Sequence, residues 1–258
     1  MGKFDGILIA SDWDGTLAKN GVIPKANIDA IRYFQENGGI FTVSSGRYSQ
    51  YLKQFKNLIN INTYTICYNG AYIADIDTGE VLYEGFCDEY LFEILAELLS
   101  LNLNYKTIAL YDNVNPEPIE YTIEDFKNHM DEHRQKKLYK VLLRSDTPEH
   151  AEDGVNAVNK LDLKDYIAVR SWEISLEIMK RENAKGEALK RVARATNARL
   201  TIGVGDYEND IQLLESADIG YAVEGSIASL LPYADRMTVS QESGAIAKII
   251  EDLEKEIK

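Results

Sequence analysis

The sequence is poor in cysteine: Cys67 and Cys87 are the two in 258 residues. That number and spacing exclude a disulfide framework and a zinc ribbon, and a reducing cytoplasm is the expected setting. Long apolar runs are also missing. Even Leu91 to Leu101 is interrupted by Glu93 and Glu97, so no segment is expected to span a bilayer. The start, Met1-Gly2-Lys3-Phe4-Asp5-Gly6, carries neither a signal-peptide core nor the Ser or Thr of a myristoylation signal. Positive charge is scarce, with 28 Lys and Arg against 42 Asp and Glu, a formal charge of −14. Nucleic acids and anionic membranes are held largely by Lys and Arg, so neither is an expected partner. An anionic small molecule would have to be drawn in by a local site. No internal repeat or low-complexity segment is present, and the composition, 45% apolar and 27% charged, is that of a globular chain long enough for two domains.

The stretch that organises the chain is Ile7-Leu8-Ile9-Ala10-Ser11-Asp12-Trp13-Asp14-Gly15-Thr16-Leu17. Its unbroken apolar start reads as a strand buried on both faces, opening into a loop that carries two aspartates. In open α/β sheets the carboxyl ends of strands are where ligands bind. Two carboxylates brought close repel by about 4 kcal/mol at ~4 Å and an effective dielectric of ~20, unless a cation or proton intervenes. An Asx turn leaving a strand is the plainer reading of Asp-Gly alone, and later segments decide between the two.

Ile28, Ile31 and Phe34 recur at helical spacing between Pro24 and Gly38-Gly39, which predicts an amphipathic helix. Ile40 to Val43 follows as a strand, so strand, helix and strand imply a parallel pair. It ends in Ser44-Ser45-Gly46-Arg47, ahead of a helical stretch near Tyr48. A hydroxyl, a glycine and a guanidinium there form a phosphate cradle or, more plainly, a serine cap. Thr63 to Tyr68 is a predicted strand, Asn69-Gly70 a turn, and Tyr72 to Ile76 with Val81 to Tyr83 a hairpin.

From about Gly85 the rhythm changes. Helices at Asp88 to Leu101, Ile123 to Lys137 and Pro148 to Leu161 alternate irregularly with strands at Thr107 to Tyr111, Tyr139 to Arg144, Ile167 to Arg170 and Ile174 to Met179; Pro116 and Pro118 mark a loop. This reads as an α+β insertion of about a hundred residues, enough for a domain. The βα rhythm resumes near Asn183, and the strand Leu200 to Val204 leads to Gly205-Asp206-Tyr207-Glu208-Asn209-Asp210. Short strands near Ile219 and Met237 and a closing helix striped by Ile246, Ile249, Ile250, Leu253 and Ile257 complete it. The expected fold class is therefore α/β, a doubly wound, mostly parallel Rossmann-like sheet over 1–84 and 181–258, with the α+β insertion at 85–180.

Three parallel strands ending in acid, hydroxyl and acid share one sheet edge. Asp12, Asp14, Asp206 and Asp210 together suit a hard divalent cation with oxygen ligands, Mg2+. A carboxylate free to attack phosphorus would form an aspartyl-phosphate. Lys185 is the best-placed ammonium, and Ser45, Gly46 and Asn209 are candidate donors to phosphoryl oxygens.

Asp12-Trp13-Asp14-Gly15-Thr16, Ser45-Gly46-Arg47, Lys185 and Gly205-Asp206-Tyr207-Glu208-Asn209-Asp210 resemble, in order, the four motifs of the haloacid dehalogenase superfamily, and in particular its Cof-type magnesium-dependent phosphatases. The resemblance covers nearly the whole chain, with the insertion at the place of the family's cap. It implies Asp12 as nucleophile and metal ligand, and Asp14 as general acid/base that also gives its main-chain carbonyl to the metal. Asp206 is implied as a further ligand, with Asp210 supporting it. Ser45, Gly46 and Asn209 would hold phosphate and Lys185 would neutralise charge; Arg47 either joins the phosphate contacts or is a surface helix residue, and Asn69 is a turn residue or, as in similar proteins, a minor substrate contact. The cap would close over the site and select a small phosphorylated metabolite. Two departures stand out: Ser45 replaces the common Thr, and Trp13 replaces an aliphatic residue. A phosphomutase of similar architecture, or an idle phospho-ligand sensor, are the alternative functions. Oligomeric state is not readable.

Two patterns point elsewhere. His129-Met130-Asp131-Glu132-His133 matches H-x-x-E-H of zinc proteases, yet it lies in a charged stretch with no further ligand. Gly203-Val204-Gly205 begins a dinucleotide fingerprint, but Glu208 occupies the third glycine's place.

Overall fold

A computed structural model describes residues 2–115, 117–161, 163 and 165–257. Met1 and Lys258, at the ends of the expected core segments, and Pro116 of the expected loop lie outside them. The chain divides into two compact units, Met1–Tyr83 with Lys185–Lys258, and Glu84–Ala184.

The first unit is built on a five-stranded sheet in the order Arg236–Thr238, Ile219–Val223, Leu200–Gly205, Ile7–Ser11, Ile40–Val43. Every pairing in it is parallel. The Ile7–Ser11 strand is buried throughout, as a continuous apolar run between two neighbours requires. Leu8 and Ala10 pack with Ala188, Leu189 and Val192 of the Lys185–Thr196 helix and with Leu213 and Leu214 of Ile211–Ser216. Side-chain alternation sends Ile7 and Ile9 to the other face. The helices Lys25–Glu36 and Ala245–Glu256 pack on each other and bury Ile31, Phe34, Ile246, Ile249, Ile250 and Leu253. A small sheet of Thr65–Cys67, Tyr72–Ala74 and Val81–Glu84 joins the edge of the large one through a parallel bridge between Ser44 and Ile66.

The second unit is a five-stranded antiparallel sheet, ordered Ile119–Thr122, Thr107–Asp112, Leu138–Arg144, Ser175–Lys180, Tyr166–Trp172. Leu91, Leu95 and Leu98 of the Tyr90–Ser100 helix and Val158 of Pro148–Lys160 share one apolar core with Ile108, Leu110, Val141, Leu143, Leu176 and Ile178. Odd and even positions of each strand face opposite ways, so Lys140 and Glu177 lie on the face away from that core.

Two expectations fail here. The strand Ile119–Thr122 stands where a loop was predicted, since an exposed edge of four residues alternates too briefly to register. The helix predicted over Ile123 to Lys137 is instead two short ones, Ile123–Asn128 and Met130–His133, broken at His129 with φ −120°. The zinc-protease pattern spans that break. Its His133 is buried, stacked on Phe126 at 5.3 Å between centroids and 4.6 Å from Tyr121, with no hydrogen-bond partner for either ring nitrogen among the described residues. It is a core aromatic.

Candidate active site

Three adjacent strands of the parallel sheet, Leu200–Gly205, Ile7–Ser11 and Ile40–Val43, end side by side, and each continues into a loop carrying expected site residues. Asp12 extends the ladder beyond Ser11, its N–H donating to Val204 O at 2.8 Å, while Ser44 N–H donates to Ser11 O at 2.8 Å. Lys185 opens the Lys185–Thr196 helix and is wholly buried. Its Nζ donates to Asp12 Oδ1 at 2.5 Å and to Asp210 Oδ1 at 2.6 Å. Asp210 Oδ2 accepts from the main-chain N–H groups of Asp206 and Tyr207 at 3.0 and 3.2 Å. Asp210 therefore folds the loop back on itself. Gly205 permits this, because a Cβ there would lie 2.3 Å from Asp210 Cβ.

Asp206 reaches the Asp12 loop from the neighbouring strand. Its Oδ1 accepts from Thr16 Oγ1 at 2.7 Å. Gly15 between them has φ +90°, and a Cβ there would meet Asp206 Oδ2 at 2.3 Å. Thr16 is fully buried and was not singled out from the sequence. A threonine two residues beyond a paired acid is the signal that could have found it.

Ser45 is buried, its N–H donating to Ile66 O at 2.9 Å and its Oγ accepting from Arg47 N–H at 3.1 Å. Asn69 is also buried, in the left-handed region at φ 62°. Its N–H donates to Ser45 O at 2.8 Å and its Oδ1 accepts from Asn209 Nδ2 at 3.4 Å. Ser45 and Asn209, the expected phosphate donors, are thus tied together through Asn69. Gly46 sits half-buried beside them.

Arg47 lies against the Asp12–Asp14 loop. Its guanidinium lies on Asp14, Nε to Oδ2 at 2.8 Å and Nη2 to Oδ1 at 3.1 Å. Trp13 is buried against Phe55 and Tyr51, with centroids 4.6 and 6.3 Å away. Its bulk serves packing.

The electrostatics are unbalanced. Burial pushes the Asp12 carboxyl well above the ordinary carboxylate range, with Lys185 pulling it down and Asp210 and Asp206 adding to the rise. Burial, with the charge of Asp210, pushes Asp206 up to about 7. Burial alone would lower the Lys185 ammonium; the charges of Asp12 and Asp210 outweigh it and hold it above its usual value. Carboxylate oxygens of Asp12, Asp206 and Asp210 lie within 4.8 Å of one another. With all three ionised, the carboxylates facing one ammonium would leave two negative charges over. Among the described residues Asp12 Oδ2 and Asp206 Oδ2 have no hydrogen-bond donor. That donor set and that excess charge fit a hard dication such as Mg2+.

The chain matches the haloacid dehalogenase-like hydrolase family over residues 9–250. Phosphatase YwpJ of Bacillus subtilis is 27% identical, covering 95% of this chain and 99% of that one. Another B. subtilis protein, 5-amino-6-(5-phospho-D-ribitylamino)uracil phosphatase YitU, is 22% identical over 95% of this chain and 96% of its own. A solved haloacid dehalogenase-like hydrolase from B. subtilis, 26% identical, superposes with a TM-score of 0.78, covering 95% of this chain and 98% of that one. Among the described residues no helix is long and apolar enough to cross a membrane. With its parallel sheet, its acidic strand ends and a match running nearly from end to end, the chain belongs to the haloacid dehalogenase-like hydrolases.

Proposed function

We propose that this hydrolase is a magnesium-dependent phosphatase that cleaves small phosphomonoesters, sugar phosphates or related metabolites, through an aspartyl-phosphate on Asp12. The observation that carries the reading is the division of labour on one carboxylate: Oδ1 of Asp12 is held by Lys185 at 2.5 Å, while Oδ2 has no donor among the described residues. A nucleophile so oriented needs no rearrangement before attack. Named relatives support phosphate-ester chemistry, and the name of YitU indicates a small phosphorylated metabolite.

In this reading Asp12 Oδ2 attacks phosphorus as the ester P–O bond breaks, and Asp14 gives its proton to the departing alkoxide. Water then attacks the phosphorus of the acyl phosphate, Asp14 takes a proton from it, and inorganic phosphate leaves Asp12 as a carboxylate. Lys185 stays charged beside the transferring group, and Ser45, Gly46 and Asn209 donate to its oxygens. Asp12, Asp206 and the main-chain carbonyl of Asp14 would hold Mg2+, with Asp210 supporting them from its loop. Bound there, the ion supplies positive charge against the phosphoryl oxygens. The inserted unit is assigned the choice of leaving group.

The test is phosphate release from a panel of phosphorylated metabolites, with Mg2+ and with EDTA. Release in Mg2+, lost in EDTA and in Asp12→Asn, is expected. Equal turnover by Asp12→Asn would remove Asp12 from the reaction, and formation of a positional isomer without phosphate release would make the protein a mutase.

A further inference from the structure

Asp14, the expected proton carrier, sits on the open side of its loop with a side chain 46% exposed. Among the described residues its carboxylate has one hydrogen-bonding partner, Arg47. A flexible exposed carboxylate samples several rotamers. Two parallel N–H···O bonds from a planar guanidinium select one of them. An ion pair this exposed contributes little to stability, so stability does not account for the care with which Arg47 is itself held.

That support is extensive. Arg47 N–H donates to Ser45 Oγ at 3.1 Å, and its carbonyl accepts from Tyr68 N–H at 3.0 Å. Its guanidinium lies over the Tyr51 ring, 4.7 Å from the centroid. Tyr51 in turn stands edge-on to Trp13 and 5.5 Å from Phe55, which packs on Trp13 at 4.6 Å. Trp13 is the residue between the two aspartates. One aromatic cluster therefore fixes both partners of the ion pair: the loop that carries Asp14, through Trp13, and the guanidinium, through Tyr51. A smaller aliphatic residue at position 13 would leave Tyr51 without its edge contact.

We infer that Arg47 is a positioning residue for Asp14, and that Trp13 and Tyr51 form the brace holding Arg47 in place. The inference rests on the phosphatase reading above. Its consequence is specific, because the two half-reactions depend differently on Asp14. With a good leaving group, formation of the acyl phosphate needs no proton from Asp14, whereas its hydrolysis still needs a base for water.

The measurement is rapid-quench kinetics of the magnesium-loaded full-length protein with 4-nitrophenyl phosphate, following formation and decay of the covalent phosphoenzyme. General acid/base groups supply about 10²–10⁴-fold. Arg47→Ala is expected to slow hydrolysis of the phosphoenzyme about tenfold, while its formation stays within about threefold, so that the intermediate accumulates. Arg47→Lys should restore part of the hydrolysis rate, and Trp13→Leu should move in the same direction as Arg47→Ala by a smaller factor. If Arg47→Ala unfolds, as judged by melting, Arg47→Lys carries the comparison alone. Equal slowing of both steps would mean that the guanidinium acts on the phosphoryl group, and no change in either would reduce the pair to a surface ion pair; each overturns the inference. Turnover without any phosphoenzyme in the wild type would instead bring down the aspartyl-phosphate reading, and this inference with it.

Discussion

Among the described residues two lysines are buried, and their surroundings differ. Lys140, on the central strand of the insertion, meets Glu177 Oε2 at 2.9 Å, and Ser171 Oγ donates to Glu177 Oε1 at 2.7 Å. The Tyr111 ring lies 4.5 Å from that ammonium. Lys185, in the parallel unit, faces Asp12 and Asp210 with Asp206 close by. At the first a carboxylate meets an ammonium and a hydroxyl; the second gathers three carboxylates around one ammonium. Burying any charge costs several kcal/mol per ion, so carboxylates in excess of the ammonium that faces them call for a further cation. The surplus of carboxylates around Lys185 is what marks the site proposed to react.

The contrast can be broken most forcefully at Lys185. Lys185→Met is expected to lower turnover about 10³-fold, because charge opposite the transferring phosphoryl group is lost; steady-state kinetics on the best substrate of the panel measures it. Lys140→Met should instead show in stability, costing about 3 kcal/mol in urea unfolding because Glu177 loses its contact with the buried ammonium. Replacing both partners, Lys140→Met with Glu177→Leu, should recover that loss, as apolar substitutes for a buried pair usually do. Failure to recover would mean that the pair is more than structural. The ion predicted for the Lys185 side sharpens the contrast further. Mg2+ at 100 times its Kd should stabilise the wild type by about 2.7 kcal/mol, seen as a rise in Tm that is absent from Asp206→Asn.

The smallest effect expected is at His133, which the insertion keeps neutral. Burial, followed by the charge of Lys136, lowers its pKa from the ordinary 6.5. The unfolded chain therefore takes up the proton first as pH falls, so this contribution to stability is whole above about pH 6.5 and declines below it. His133→Phe should flatten stability against pH between about 6.5 and 5, as read by urea unfolding at each pH.

Much of this was legible in the sequence, for identifiable reasons. Strands buried on both faces must be apolar runs, so Ile7–Ser11, Ile40–Val43 and Leu200–Gly205 announced themselves, and polar residues at their ends announced the sheet edge. The edge strand Ile119–Thr122 was hidden because half of its residues face solvent. The break at His129 was hidden because a charged segment offers no apolar stripe from which to read continuity. Within the site, loops distant in sequence resisted reading. Nothing in either Asn69 or Asn209 says that they meet, 140 residues apart, and an arginine at a helix start serves a phosphate or a carboxylate equally well, so that Arg47 on Asp14 became visible only in three dimensions.

The account depends most directly on Asp12 carrying the phosphoryl group. Acid-quenched protein taken during turnover, digested and mapped by mass spectrometry, is expected to show covalent phosphate on the peptide containing Asp12, and none in Asp12→Asn. Sustained phosphate release with no phosphate on that peptide at any quench time, together with turnover by Asp12→Asn, would contradict it.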